Sequence, residues 1–112
     1  MSGQKKIYIE LPPVEEFVRT FSAAVRKEYD DIVTELELNG FLRMPTGEKI
    51  DSSLFAIRII KAANIRVFYA YGTEDRVWGL HGYVKKSQQI PVKEMKQAQK
   101  LVKALQQRGW IK

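Results

Sequence analysis

The 112-residue chain has no cysteine, which removes disulfides, thiolate-bound zinc and thiol nucleophiles from its available chemistry. That composition suits a reducing cytoplasm, the expected location. Only one histidine is present, His81, so no mechanism that divides acid and base work between two imidazoles can operate. No window approaches eighteen apolar residues, and the opening Met1, Ser2, Gly3, Gln4, Lys5, Lys6 has neither the apolar stretch nor the cleavage site of a secretory leader. Neither membrane spanning nor secretion by that route is expected. Internal repeats and low-complexity segments are missing too, and 45% hydrophobic with 29% charged residues fits one compact domain, residues 1–112.

Acid is scarce in one place. Residues 85–112 carry Lys85, Lys86, Lys93, Lys96, Lys100, Lys103, Arg108 and Lys112 against Glu94 alone, a net of +7. Residues 1–84 hold eleven basic and twelve acidic side chains, so the whole formal excess of +6 comes from the C-terminal quarter. Upstream, residues 10–37 hold eight carboxylates (Glu10, Glu15, Glu16, Glu28, Asp30, Asp31, Glu35, Glu37) against Arg19, Arg26 and Lys27. A concentrated positive field attracts polyanions and is strengthened by counterion release from phosphate backbones, which makes RNA the expected ligand. The plainer alternative is charge that serves solubility alone.

The periodicity predicts an α+β chain. Lys6 to Leu11 is a short β-prone run stopped by Pro12 and Pro13. Pro13 suits a first helical turn, and Val14, Phe17, Val18, Phe21, Val25, Tyr29, Ile32, Val33 and Leu36 follow at spacings of three and four, up to Asn39 and Gly40. One bent helix or a helix pair broken around Thr20 to Ser22 both fit. Residues 40–52, with Pro45, Gly47 and Asp51, read as a loop. Leu54 to Ile60, Ile65 to Tyr71 and Arg76 to Val84 are β-branched and aromatic runs with short connections, which predict an antiparallel meander. After Pro91 a last helix places Val92, Met95, Ala98, Leu101, Val102 and Leu105 inward and Lys93, Lys96, Lys100 and Lys103 outward. Gly109 suits a left-handed end, with Trp110 placed to pack on Leu105.

Leu54-Phe55-Ala56-Ile57-Arg58, Arg66-Val67-Phe68-Tyr69 and the block Leu80-His81-Gly82-Tyr83-Val84-Lys85-Lys86-Ser87-Gln88-Gln89-Ile90-Pro91, with Glu94 and Ala98 beyond, resemble the RelE/ParE superfamily of type II toxins. The likeness is greatest to its HigB-like, phage-derived branch, and His81 to Pro91 is the most specific part. It implies a RelE-like, microbial-RNase-type fold: a twisted antiparallel sheet, an N-terminal helix or helix pair on one face, and a C-terminal helix. A ribosome-dependent mRNA cleavage site on the other face is implied as well. The implied partners are the ribosome, mRNA and a cognate antitoxin of helix-turn-helix type. No cofactor is implied. A gyrase-directed, ParE-like toxin and a non-catalytic, phage-derived RNA-binding accessory protein are the alternatives.

Cleavage by attack of a 2′-hydroxyl on the neighbouring phosphate needs a base, cations around the crowded phosphorane and an acid for the leaving oxygen; metal is optional. Arg58 interrupts an apolar strand, and its planar fork of donors suits a phosphate, or an ion pair at a sheet edge. Whether Arg66 shares its face depends on hairpin register. Lys85 and Lys86 leave the last strand as phosphate ligands, proton carriers or solvated charges. His81 is the proton carrier by chemistry and a strand residue by context. Lys93, Lys96, Lys100 and Lys103, with Arg66, are the candidate RNA contacts. Where relatives place an aromatic or histidine near the C-terminus, this helix offers Val92 and Met95, so no residue stands out as the base.

Overall fold

Each helix starts and stops where local chemistry requires. The computed structural model describes residues 5–111. Met1 to Gln4, part of the segment without leader character, and Lys112 of the basic quarter lie outside them. Strand β1 (Ile7–Glu10) runs into α1 (Pro12–Arg19), which has proline in its first turn, where no intrahelical N–H is lost. The chain breaks at Thr20 to Ser22, and the Ser22 hydroxyl accepts from the Val25 N–H to cap α2 (Ala23–Asn39). The helix pair is therefore the correct alternative. Gly40, at φ 80°, closes α2 through its N–H to the Leu36 carbonyl, a conformation that a side chain would strain.

Then follow β2 (Gly47–Lys49), β3 (Phe55–Ile59), β4 (Ile65–Tyr71), β5 (Arg76–Val84) and α3 (Val92–Gln107). The five strands form one sheet in the order β1-β5-β4-β3-β2. The α+β class stands, with two differences from expectation. Residues 47–49, expected as loop, pair with β3 as an edge strand, because three residues flanked by Pro45, Gly47 and Asp51 carry too little pattern to register as one. The meander is antiparallel, but β1 joins β5 in parallel, so the sheet is mixed. No turn connects those two strands, so nothing local dictates their relative direction.

Both faces of the sheet are covered. Against α1 and α2 lie Ile57, Ile59, Ile65, Val67, Tyr69 and Val77. Against α3 lie Leu54, Ala56, Phe68, Ala70, Trp78, Leu80 and Tyr83, so α3 covers the face opposite the helix pair. Helix α1 rests closely on β5 because Gly82 has no Cβ; one would collide with the Phe17 ring. The end of α3 forms the paired hydrogen bonds of a Schellman motif, Gly109 N–H to Gln106 and Trp110 N–H to Leu105, and the Trp110 ring stacks on Trp78 at 5.0 Å. Among the described residues no helix is long and apolar enough to cross a membrane.

Glu28 of α2 fastens the β3–β4 turn. Its carboxylate accepts the backbone N–H groups of Ile60, Lys61 and Ala62 at 2.9, 3.0 and 2.7 Å. Burial by itself would raise its pKa, but those three donors, together with the Lys61 charge, outweigh it and hold the group below its ordinary value. A depressed native pKa contributes stability above the unfolded carboxylate value of about 4.3, and that contribution is lost as pH falls through the native pKa. Glu28→Gln should cost about 1 kcal/mol near neutrality and lower Tm by roughly 4–8 °C. The gap between variant and wild type should narrow below about pH 4 in thermal melts; a gap that widens in acid contradicts this role.

Candidate active site

The face under α3 turns polar toward the β3–β4 turn, and the strand register sets what gathers there. Arg58 of β3 is the direct cross-strand partner of Arg66 of β4, which is in turn the partner of Tyr83 of β5. The two arginines therefore share a face, in a register with Ile59 opposite Ile65. Two positions along, on the same face, Glu48, Ala56, Phe68 and His81 form the next cross-strand row, spanning β2 to β5.

A β-bulge decides the contribution of β5. The register slips between Phe68 and Tyr69, which pair with His81 and Gly79 and leave Leu80 as the extra residue. Above the slip the even-numbered Trp78 and Leu80 face α3; below it the odd-numbered Tyr83 does so, with His81 in the same register. Without the bulge, strict alternation would turn His81 and Tyr83 toward α1 and α2.

Arg66 is buried, with only 5% of its surface exposed. Its Nη1 donates to the Tyr83 hydroxyl at 3.3 Å, and its Nε lies 3.3 Å from Glu48 Oε1. Those last two atoms are close enough to attract as charges, but their alignment makes no hydrogen bond, so both are buried without a partner. Glu48 and Arg66 sit two strands apart, and the small Ala56 beside Glu48 leaves room above β3 for their long side chains to meet. A buried donor and acceptor left without a hydrogen bond is costly in a folded chain, and this pair leaves hydrogen-bonding capacity unused on the face that carries Arg58. Arg58 is half-buried, and its backbone N–H donates to the Thr46 carbonyl at 2.8 Å, but its side chain has no ion-pair or hydrogen-bond partner among the described residues.

His81 is held from two sides. Its ring lies parallel to Phe68, 8° between planes, and its Nε2 is 2.7 Å from Glu94 Oε1 in the first turn of α3. With the carboxylate accepting from Nε2–H, Nδ1 is the nitrogen left free to exchange a proton.

Lys85 is half-buried and Lys86 exposed where β5 ends; with Asn64, Ser87 and Gln88 they line a recess of about 410 Å³. Lys85 N–H donates to the Asn64 carbonyl at 2.7 Å, which ties this recess to the β3–β4 turn. Lys93, Lys96, Lys100 and Lys103 are exposed on the outer side of α3. Of the residues singled out from sequence, Arg58, Arg66 and His81 thus come together, Lys85 and Lys86 adjoin them, and the four helix lysines stand apart. The Tyr83 hydroxyl accepts from the Arg66 guanidinium, and Tyr69 and Trp78 are core residues.

Glu48 and Glu94 escaped the sequence reading. Glu48 lay in a segment taken for loop. Glu94 had a visible signal: four residues before Ala98 and seven before Leu101, it falls in the apolar stripe of α3, where a lone carboxylate needs a partner.

The sequence profile of a family described as "Phage derived protein Gp49-like (DUF891)" matches residues 16–103, from α1 into α3. The chain belongs to that family. Gp49-like proteins are RelE/ParE-like and associated with toxin–antitoxin systems, which places this chain among toxins at the level of the family. No curated protein matches it. The matched segment of this Gp49-like chain contains Glu48, Arg58, Arg66, His81, Tyr83 and Glu94.

If Arg66 is held in place by the Glu48 charge, losing one partner should cost more than losing both. Glu48→Leu alone should destabilise by about 2 kcal/mol, because it strands a buried guanidinium, and adding Arg66→Met should restore stability to within about 1 kcal/mol. Urea denaturation of the two singles and the double checks this; simple additivity would dissolve the pairing.

Proposed function

We propose that this chain is the toxin of a type II toxin–antitoxin pair of the HigB-like kind, a single-domain endoribonuclease that cuts mRNA on the ribosome in the cytoplasm. One observation carries the reading: a buried guanidinium and a carboxylate, Arg66 and Glu48, each with an unpaired polar atom, lie beside the free guanidinium of Arg58. That pairing suits a reaction in which an anion becomes more crowded and more charged on the way to its transition state.

In this scheme Glu48 takes the proton from a ribose 2′-hydroxyl as its oxygen attacks the adjacent phosphorus. Arg58 and Arg66 hold the non-bridging oxygens and stabilise the phosphorane, supplying from side chains the positive charge that a metal supplies in other nucleases. His81 delivers a proton from Nδ1 to the departing 5′-oxygen, with Glu94 fixing the ring through Nε2. The new O2′–P bond and the broken P–O5′ bond leave a 2′,3′-cyclic phosphate and a 5′-hydroxyl. Lys85 and Lys86 bind a neighbouring phosphate in their recess. The cognate antitoxin, of helix-turn-helix type, neutralises the basic C-terminal face with acidic side chains, since burying so dense a cation patch requires compensating charge.

Expression without an antitoxin should arrest bacterial growth and shorten messages under translation. Arg58→Ala should reduce cleavage by roughly 10²–10³-fold, while RNA affinity changes only a few-fold, because the interaction strengthens in the transition state. Full growth with intact transcripts overturns the nuclease assignment, and an Arg58→Ala protein with wild-type cleavage removes the site from β3.

A further inference from the structure

Beyond the cluster around Arg66, α3 carries a row of cations with no counterions. Lys96, Lys100 and Lys103 are exposed, and none has an ion-pair partner among the described residues. The contrast with the N-terminal helices is sharp: there Arg19 pairs with Glu15, Arg26 with Asp30 and Lys27 with Asp31, each at i,i+4. Charge placed only for solubility is ordinarily interspersed with the opposite sign. This row is not.

The three lysines, at positions i, i+4 and i+7, run for about 10 Å along the helix and form one wall of an open groove of about 620 Å³. The opposite wall is the turn that links β2 to β3, with Ser52 at its crest. The floor is apolar, built from the buried Leu54 and Val102. The one carboxylate in the groove, Asp51, accepts the Ser53 N–H at 2.8 Å within its own turn. Leu54, Ala56 and Arg58 are alternate residues on the same side of one extended segment, so the groove lies on the Arg58 side of the sheet, with Leu54 about 13 Å along the backbone from Arg58 and the buried Ala56 between them.

We propose that this groove carries the single-stranded RNA that flanks the cleavage point. Phosphates lie along Lys96, Lys100 and Lys103, ribose hydroxyls meet Ser52 and Gln99, and bases rest on Leu54 and Val102. This rests on the reading of the Arg58–Arg66 cluster as an RNA-cleaving site, since a strand bound there must continue past α3, and the groove offers a row of unpaired cations on the same side of the sheet as Arg58.

Plugging the groove without changing any charge separates it from diffuse attraction. Ser52 and Gln99 are both exposed and both line it, one from the β2–β3 turn and the other from α3, so Ser52→Trp and, independently, Gln99→Trp fill the space from different walls. The probes are a 2′-O-methyl RNA of about ten nucleotides, within the site sizes of single-strand binders, and a 2′-O-methyl dinucleotide, neither of which can be cut. Fluorescence anisotropy should show the oligomer-to-dinucleotide affinity ratio falling at least about tenfold in each plugged variant. Lys100→Gln should lower the salt slope for the oligomer by about 0.7. Both plugged variants binding the oligomer as wild type does would overturn the proposal, even if the lysine variant is weakened. So would plugged variants that keep RNA and lose the antitoxin, because the occupant would then be protein. Wild type that binds the oligomer in the groove but cuts no ribosome-bound message fails the nuclease reading and leaves the groove assignment standing.

Discussion

The bulge in β5 opposite Phe68 and Tyr69 controls which chemistry the α3 face can display. A strand presents alternate residues to opposite faces, so a single extra residue exchanges everything that follows it. Here the exchange lets one strand bury Trp78 and Leu80 beneath α3 and then, two pairs further, bring Tyr83 against Arg66 and His81 within reach of Glu94. Arg58 and Arg66 depend on the same ladder, since their pairing follows from Ile59 meeting Ile65 where Glu28 fastens the turn beyond. The polar cluster thus stands on hydrogen-bonded backbone rather than on loops, which limits how far its side chains can drift.

The cluster is also where the fold departs from its own packing rules. Elsewhere on the sheet the Tyr29 hydroxyl donates to the Glu10 carboxylate and lies 2.9 Å from the Tyr8 hydroxyl, and Glu37 closes the free edge of β1 by accepting the Tyr8 N–H, while the neutral Trp78 Nε1 is buried without a hydrogen-bond partner. Burial pushes both tyrosines well above their usual range, so their hydroxyls stay protonated as hydrogen-bonding groups of the fold. Arg66 and Glu48 are different, because they are charged, close and still not hydrogen-bonded. The fold thus holds the two charges in contact at 3.3 Å without a hydrogen bond between them, at a cost in its own stability.

Charge follows the same division. Helices α1 and α2 engage Arg19, Arg26 and Lys27 in i,i+4 pairs and keep an acidic excess on the side away from the cluster, whereas α3 and the end of β5 leave their lysines open. The resulting field is one-sided, with the polar cluster at its border. Such a field steers a polyanion to one face before any specific contact forms.

Much of this was legible in residues 1–112 taken alone. Apolar spacing located α1, α2 and α3, prolines and glycines marked their ends, and β-branched runs located β3, β4 and β5, because these signals are local and repeat over many residues. Net charge by segment identified the basic quarter, and the word from His81 to Pro91 pointed to the family. Three decisions were not local. The parallel pairing of β1 with β5 joins strands more than sixty residues apart. The role of Glu48 needed β2 to be recognised as a strand and Ala56 to leave space beside it. The face shown by His81 and Tyr83 turned on one extra residue in a ladder. Composition and periodicity determined which elements form and which carry charge, because those follow from each residue and its near neighbours. Only the tertiary structure decided which charges meet, because register and bulges are set by two buried faces satisfied at once.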